Sequence, residues 1–141
     1  MKVIVVQLNT TVNLMIIKSS RKELPMGTNY YVVPNRPSIE EPIHIGKSSM
    51  GWMFLFQDAN EPYRDVPIVW HSYDEVKDWL HKHAYSNADD YVIINEYDEI
   101  VPFHDFIDMI EHKQEQFKDN PDNFTYCRNV NGYRFEEGEF C

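Results

Sequence analysis

An α+β fold, with a mixed or antiparallel sheet of short strands covered by two amphipathic helices, is predicted by three features of the sequence. The first is a capping box, Ser72-Tyr73-Asp74-Glu75, followed by Val76, Trp79, Leu80 and His83 at i, i+3, i+4 and i+7. The second is a longer stripe, Phe103, Phe106, Ile107, Ile110 and Phe117, with Asp and Glu on the opposite face. The third is a series of short β-branched and aromatic runs, punctuated by Pro and Gly, before, between and after the helices.

Taken in order, residues 29–33 form a short strand stopped by Pro34 and Pro37, and residues 38–42 form a loop. Residues 52–57 carry aromatics on alternate positions and predict a strand. Residues 58–67 are polar and Pro-punctuated, hence a loop, and Ile68-Val69-Trp70 is either a short strand or buried chain. The helix that starts after Ser72 is broken by residues 86–90. Residues 91–95 then read as a β-branched strand, tightly connected through 96–99 to Ile100-Val101. Pro102 pre-sets φ for the first turn of the second helix, which ends before Asn120-Pro121. Residues 124–127, 133–135 and 139–140 read as short strands around Gly132 and Gly138.

The chain has 141 residues, 43% hydrophobic and 14% aromatic, which suits one domain with a real core and argues against disorder. Lys2 is followed by only four apolar residues before Gln7, too few for a secretory h-region. No apolar run approaches a membrane span, and two cysteines, Cys127 and Cys141, make no disulfide framework.

The densest chemistry lies in His44-Ile45-Gly46-Lys47-Ser48-Ser49-Met50-Gly51-Trp52. Gly-Lys-Ser-Ser invites a phosphate-cradle reading. That motif needs a glycine five residues earlier, where Glu41 stands, and a helix afterwards, where an aromatic strand pattern follows. The stretch therefore does not match a Walker-type nucleotide site. Two readings remain: a tight turn between strands in which Gly46 and Gly51 supply positive φ, or an anion or partner site built from His44, Gly46, Lys47, Ser48 and Ser49, with Trp52 as a stacking wall.

Met26-Gly27-Thr28-Asn29-Tyr30-Tyr31 and His44-Ile45-Gly46-Lys47-Ser48-Ser49 with Gly51-Trp52 resemble motifs of a family of small, largely uncharacterised phage and prophage proteins. Asn95-Glu96-Tyr97, Gly132-Tyr133-Arg134-Phe135 and Gly138-Glu139-Phe140-Cys141 are similar to later stretches of the same family, so the resemblance spans residues 26–141. It implies a phage or prophage origin and a compact single domain, and it brings no activity; with no secretory signal or membrane span, the cytoplasm of a bacterial host is the expected location. Many relatives of this kind carry a Cys-x-x-Cys between the two first motifs, which implies a zinc site in them. Here Val32-Val33-Pro34-Asn35-Arg36-Pro37 stands there, so no metal is expected. Residues 1–25 are net basic and end just before Met26. Arg21-Lys22-Glu23 is encodable by a purine-rich run like a ribosome-binding site. The segment is therefore either an over-called start or a β-hairpin turning near Asn9-Thr10-Thr11, added to a domain of residues 26–141.

The net charge of −10 is lopsided: residues 1–88 hold nine acidic and nine basic side chains, residues 89–141 fourteen and four. Such a half repels nucleic acid and attracts a basic protein surface. With nine tyrosines in the chain, an acidic and aromatic interaction surface is expected at Glu96, Tyr97, Asp98, Glu99, Tyr133, Glu136 and Glu137. Catalysis has no assembled signature. His81 and His83 point to different helix faces, His104 and His112 lie two turns apart, and paired acids such as Asp89-Asp90 read as solvated. No catalytic residue, metal or cofactor is assigned. The expected function is a non-enzymatic phage accessory factor that binds a basic host or bacterial-defence protein. The alternative is a small-ligand protein or enzyme that takes a nucleotide or phosphate at the His44–Ser49 loop.

Overall fold

The computed structural model describes residues 27–138. The expected hairpin near Asn9 or over-called start of residues 1–25, the 139–140 strand and Cys141 lie outside them. Ten elements follow in chain order: β1 (Thr28–Pro34), β2 (Ile43–Ser48), β3 (Leu55–Gln57), β4 (Ala59–Glu61), β5 (Ile68–Trp70), α1 (Tyr73–His83), β6 (Tyr91–Asn95), α2 (Phe103–Gln116), β7 (Arg128–Val130) and β8 (Tyr133–Glu136). The architecture is α+β. A six-stranded sheet has the order β6-β1-β2-β3-β8-β7, and β4 pairs β5 in a separate two-stranded sheet. All neighbours are antiparallel except β3 and β8, which run parallel.

The helices cover one face of the large sheet, and the core lies between. Val32, Ile43, Ile45, Phe54, Phe56 and Phe135 from the sheet side meet Val76, Leu80, Phe106 and Ile110 from the helices. The buried indoles keep hydrogen-bond partners, as polar groups in a core must: Trp70 Nε1 donates to Gln57 O (2.9 Å) and Trp79 Nε1 to Pro67 O (2.8 Å). Tyr73 stacks on Tyr133 with ring centroids 4.4 Å apart and donates its hydroxyl to Glu111 (2.7 Å). Burial, and then that hydrogen bond to a carboxylate, push the Tyr73 phenol far above its ordinary range.

Both helices start where the sequence indicates. Ser72 Oγ accepts from Glu75 N at 3.3 Å, while the Glu75 carboxylate reaches one residue further back than a standard box and accepts from His71 N at 2.8 Å. Pro102 sits at the N-cap of α2, one position before the first helical residue, and Phe103, Phe106, Ile107 and Ile110 are buried.

Four local expectations are corrected. Gly46 is not a turn residue but lies within β2, and only Gly51 of the pair has positive φ (84°). The 52–57 strand shrinks to Leu55–Gln57, because Trp52 turns out to meet Arg134 before pairing begins. Residues 59–61, read as loop, are β4; cross-strand pairing with β5 overrides their polar composition. Residues 124–127 form turns, and the strand is Arg128–Val130, joined to β8 by Asn131-Gly132 with φ of 54° and 87°. Two consecutive positive-φ residues suit the right-handed twist of a two-residue hairpin.

Between Tyr30 and Tyr31 the register of β1 against β2 shifts: Tyr30 opposes Gly46, Tyr31 opposes His44, and Ile45 is the extra residue. Strand alternation puts His44 on the face away from the helices, between the core residues Ile43 and Ile45, and the bulge then brings Gly46 opposite core-facing Tyr30. A Cβ on Gly46 would sit 2.2 Å from Leu55 O and 2.4 Å from the Phe54 ring. The glycine is there for close approach of Phe54.

Candidate functional site

The sheet face away from the helices carries Tyr31, which packs on a small buried cluster of Val33, Val92 and Ile94, and beside it His44. The rings of Tyr31 and His44 lie 5.1 Å apart. His44 Nε2 meets Asn29 Oδ1 at 2.9 Å, while Asn29 Nδ2 and Asn29 N both donate to Glu96 Oε1, at 3.1 and 2.6 Å. The Glu96 carboxylate fixes which way the Asn29 amide points, so Asn29 offers its oxygen to His44 and His44 Nε2 carries the hydrogen. A hydrogen-bonded path therefore runs from the acidic turn after β6 to the histidine of the central segment.

Two concavities flank this path and share Tyr31 and Pro42 as common wall. The smaller, about 330 Å³, is bounded by Ile94, Asn95, Glu96 and Asp98. The larger, about 620 Å³, is bounded by Asn29, His44, Gln57, Asp58, Glu61 and Glu137, among others. Together they form one groove with carboxylates at both ends and no lysine or arginine among its described lining residues.

The turn at the small end is rigid. Asn95 Oδ1 accepts from Tyr97 N (2.9 Å) and Glu99 N (3.1 Å), its Nδ2 donates to Glu99 Oε1 (2.7 Å), and Asp98 adopts φ 62°. Such an Asx-type turn fixes the backbone of residues 95–99, while the Glu96 carboxylate is held by Asn29.

At the large end Gln57 is 8% exposed, and its Nε2 lies within hydrogen-bonding distance of three carbonyls, Glu136 O (3.0 Å), Glu137 O (3.1 Å) and Gly138 O (2.9 Å). Its Oε1 is buried with no donor among the described residues, and so is Asp58 Oδ1. Asp58 Oδ2 is held by Arg128 and faces His71 Nδ1 at 3.9 Å. Burial pushes the Asp58 carboxyl above the usual carboxylate range, against the pull of the Arg128 and His71 charges. Glu61 is bonded to the deeply buried Arg64 (3.2 Å), whereas Glu137 stands 74% exposed with Arg128 at 3.9 Å.

The structure thus divides the residues expected to act. His44, Glu96, Asp98 and Glu137 join one groove. Glu96 and Glu136 sit near opposite sides of the sheet, on or beside strands four places apart, roughly 19 Å at ~4.8 Å per strand. Tyr133 belongs to the edge of the core against Tyr73, and Tyr97, Glu99 and Glu136 are half-buried beside the groove's ends. Gly46, Lys47 and Ser48 lie in β2, and Ser49 and Trp52 in the turn beyond it. That turn is fastened from outside: Lys113 Nζ donates to Ser49 O (2.8 Å), Asn120 Nδ2 to Gly51 O (3.1 Å) and Arg134 to Met53 O (2.9 Å). The Arg134 guanidinium lies 5.0 Å from the Trp52 ring centroid. Burial, then the Arg134 charge, hold the Lys113 ammonium below its ordinary value.

Asn29, Gln57, Asp58 and Glu61 escaped the sequence reading. Nothing local marks them, because strands distant in sequence bring them together. Among the described residues no group of three His, Cys, Asp or Glu is placed to hold a metal ion, and no helix is long and apolar enough to cross a membrane. Cys127 is half-buried, its thiol donating to Asn123 O at 3.2 Å. No protein-family model, curated protein or solved structure matches the chain.

Proposed function

We propose that the protein is a non-enzymatic binding factor that receives a basic protein surface in the groove of the outer sheet face. The observation that carries this reading is a groove acidic at both ends, with the Tyr31–His44 pair between them. Fixed carboxylates attract and orient a cationic partner without reorganising, and a tyrosine floor adds apolar area with a polar tip. A second acidic groove, between α1 and α2, is less suited. It is lined by Lys77, His81 and His104 as well as by acids, and Lys77 and the Tyr73 hydroxyl already engage Glu111. With the resemblance to phage proteins, the partner class is a host or bacterial-defence protein met in the bacterial cytoplasm.

The test is affinity capture from bacterial lysate, with wild type beside a Glu96→Lys, Glu137→Lys double variant. One dominant basic partner is expected, lost from the variant and from wild type at high salt. A partner equally retained by the variant, or none with wild type, would sink the reading.

One observation favours the alternative, a phosphate or nucleotide ligand at the His44–Ser49 loop. Lys113 and Arg134 converge on the turn carrying Ser49 and Trp52, where they donate to Ser49 O and Met53 O. Nucleotides or phosphate would then raise the melting temperature by mass action, and Lys47→Ala would remove the shift. A flat response across common nucleotides would reject it.

A further inference from the structure

The groove between α1 and α2 encloses about 560 Å³, the size of a small-ligand site, and its two ends differ. One end is closed. There the Glu111 carboxylate accepts from the Tyr73 hydroxyl (2.7 Å) and the Lys77 ammonium (3.1 Å), which ties α1 to α2, and Asp74 lies beside them in the first turn of α1. The other end is an aromatic shelf. The ring of Tyr85, 43% exposed, has its centroid 4.7 Å from His81, 5.2 Å from Phe103 and 5.2 Å from His104. The Tyr85 hydroxyl lies 3.0 Å from His104 Nε2, which holds the ring over the start of α2, and the buried Phe103 backs it. His104 and Asp108 stand four residues apart in α2, hence on one helix face, and both line the groove. Lys77 is paired with Glu111 and Lys82 with Asp78 (3.2 Å), so the carboxylate that serves the shelf is that of Asp108.

We infer that the open end of this groove is a site for one guanidinium group, which stacks on the exposed Tyr85 ring and donates its N–H edge to the Asp108 carboxylate. The site is on the helical side of the molecule and goes beyond the proposed reading, which concerns the opposite sheet face. The charge of the lining selects a cation over an anion: Asp74, Asp78, Asp108 and Glu111 stand against one lysine. The shape of the shelf selects the kind of cation. A guanidinium is flat and weakly hydrated, stacks on aromatic faces and presents paired donors that match a carboxylate. An ammonium is a compact, strongly hydrated point charge and gains less from a flat ring. Two sources would present the group, an arginine in a protein segment and a free guanidino compound.

The test is an NMR titration of the full chain with four probes: N-acetyl-arginine amide, its lysine and citrulline counterparts, and a peptide carrying a single arginine. The ring signals of His81 and His104 and the Tyr85 backbone amide are followed in wild type, Tyr85→Leu, Asp108→Asn and the Glu96→Lys, Glu137→Lys double variant. The arginine compound is expected to shift all three reporters, the lysine compound to bind more weakly, and the neutral citrulline compound not to bind. Affinity for the arginine compound should fall about threefold in Tyr85→Leu and about tenfold in Asp108→Asn. It should be unchanged in the double variant, whose substitutions lie on the sheet face, so failure here and failure of the proposed reading are separate results. A peptide that binds more tightly than the free compound assigns the site to a protein arginine, and equal affinities assign it to a free guanidino ligand. Equal binding of the lysine or citrulline compound, unmoved reporters, or full affinity in both single variants would overturn the site. The wild-type reporters decide the matter even if a variant is perturbed, and melting curves of the variants show whether one is.

Discussion

Gly46 and Gly51 stand five residues apart in one motif and do different work. Gly51 needs its φ of 84° but has open space around it, so a side chain there meets only backbone strain. Gly46 is in ordinary strand conformation, yet a methyl group would collide with a backbone carbonyl and an inner-core ring. Gly51→Ala is therefore expected to cost about 1–2 kcal/mol, the left-handed penalty. Gly46→Ala should cost about 3 kcal/mol, the upper end for overpacking, since the Leu55 carbonyl is fixed by the sheet. Urea unfolding of both variants checks the order, and equal losses would refute the packing account. Asp58 allows a test of sign. Burial raises its folded pKa above the unfolded value, so its contribution to stability is fully present below the unfolded pKa and is lost as pH rises through the folded one. Asp58→Asn is thus expected to melt higher than wild type at neutral pH, with the gap closing as pH falls toward about 4. A gap that widened on acidification would contradict the burial argument.

Among the elements, α1 and α2 could be drawn from sequence because each advertises its own ends and its own apolar stripe. Ser72→Ala removes a side-chain acceptor from the first turn of α1 and is expected to cost about 1 kcal/mol, read from thermal unfolding. Ser72→Asn, which keeps an acceptor, should restore most of it. The strands are a harder case. Tyr91–Asn95 was legible because its β-branched run is continuous and buried on both faces. Ala59–Glu61 was not, since its three residues include Asn60 and Glu61 and its strand character comes from pairing with Ile68–Trp70. The β7–β8 hairpin carries a real local signal, Asn131-Gly132 between Val130 and Tyr133, that outweighs the aromatic composition of residues 124–127.

For the whole molecule, the relevant quantity is charge and where the fold puts it. A chain of net charge −10 approaches a basic partner through a field that salt screens, so association should slow steeply between low and physiological ionic strength while dissociation changes less. Stopped-flow or surface-based kinetics at several salt concentrations measures this, and a salt-independent association rate would count against an electrostatic partner. The sequence by itself determined the α+β class, both helices with their core stripes, and the excess of acid in residues 89–141. Those follow from periodicity, capping and composition, which are local. The outer groove was decided by tertiary structure alone. The pairing of β1 with β2 sets Tyr31 against His44, and the sheet order sets Asn29 between His44 and Glu96. The parallel pairing of β3 with β8 places Gln57 against the carbonyls of residues 136–138. Each is a contact between strands far apart in the chain, and a one-residue change of register would send those side chains to the opposite face.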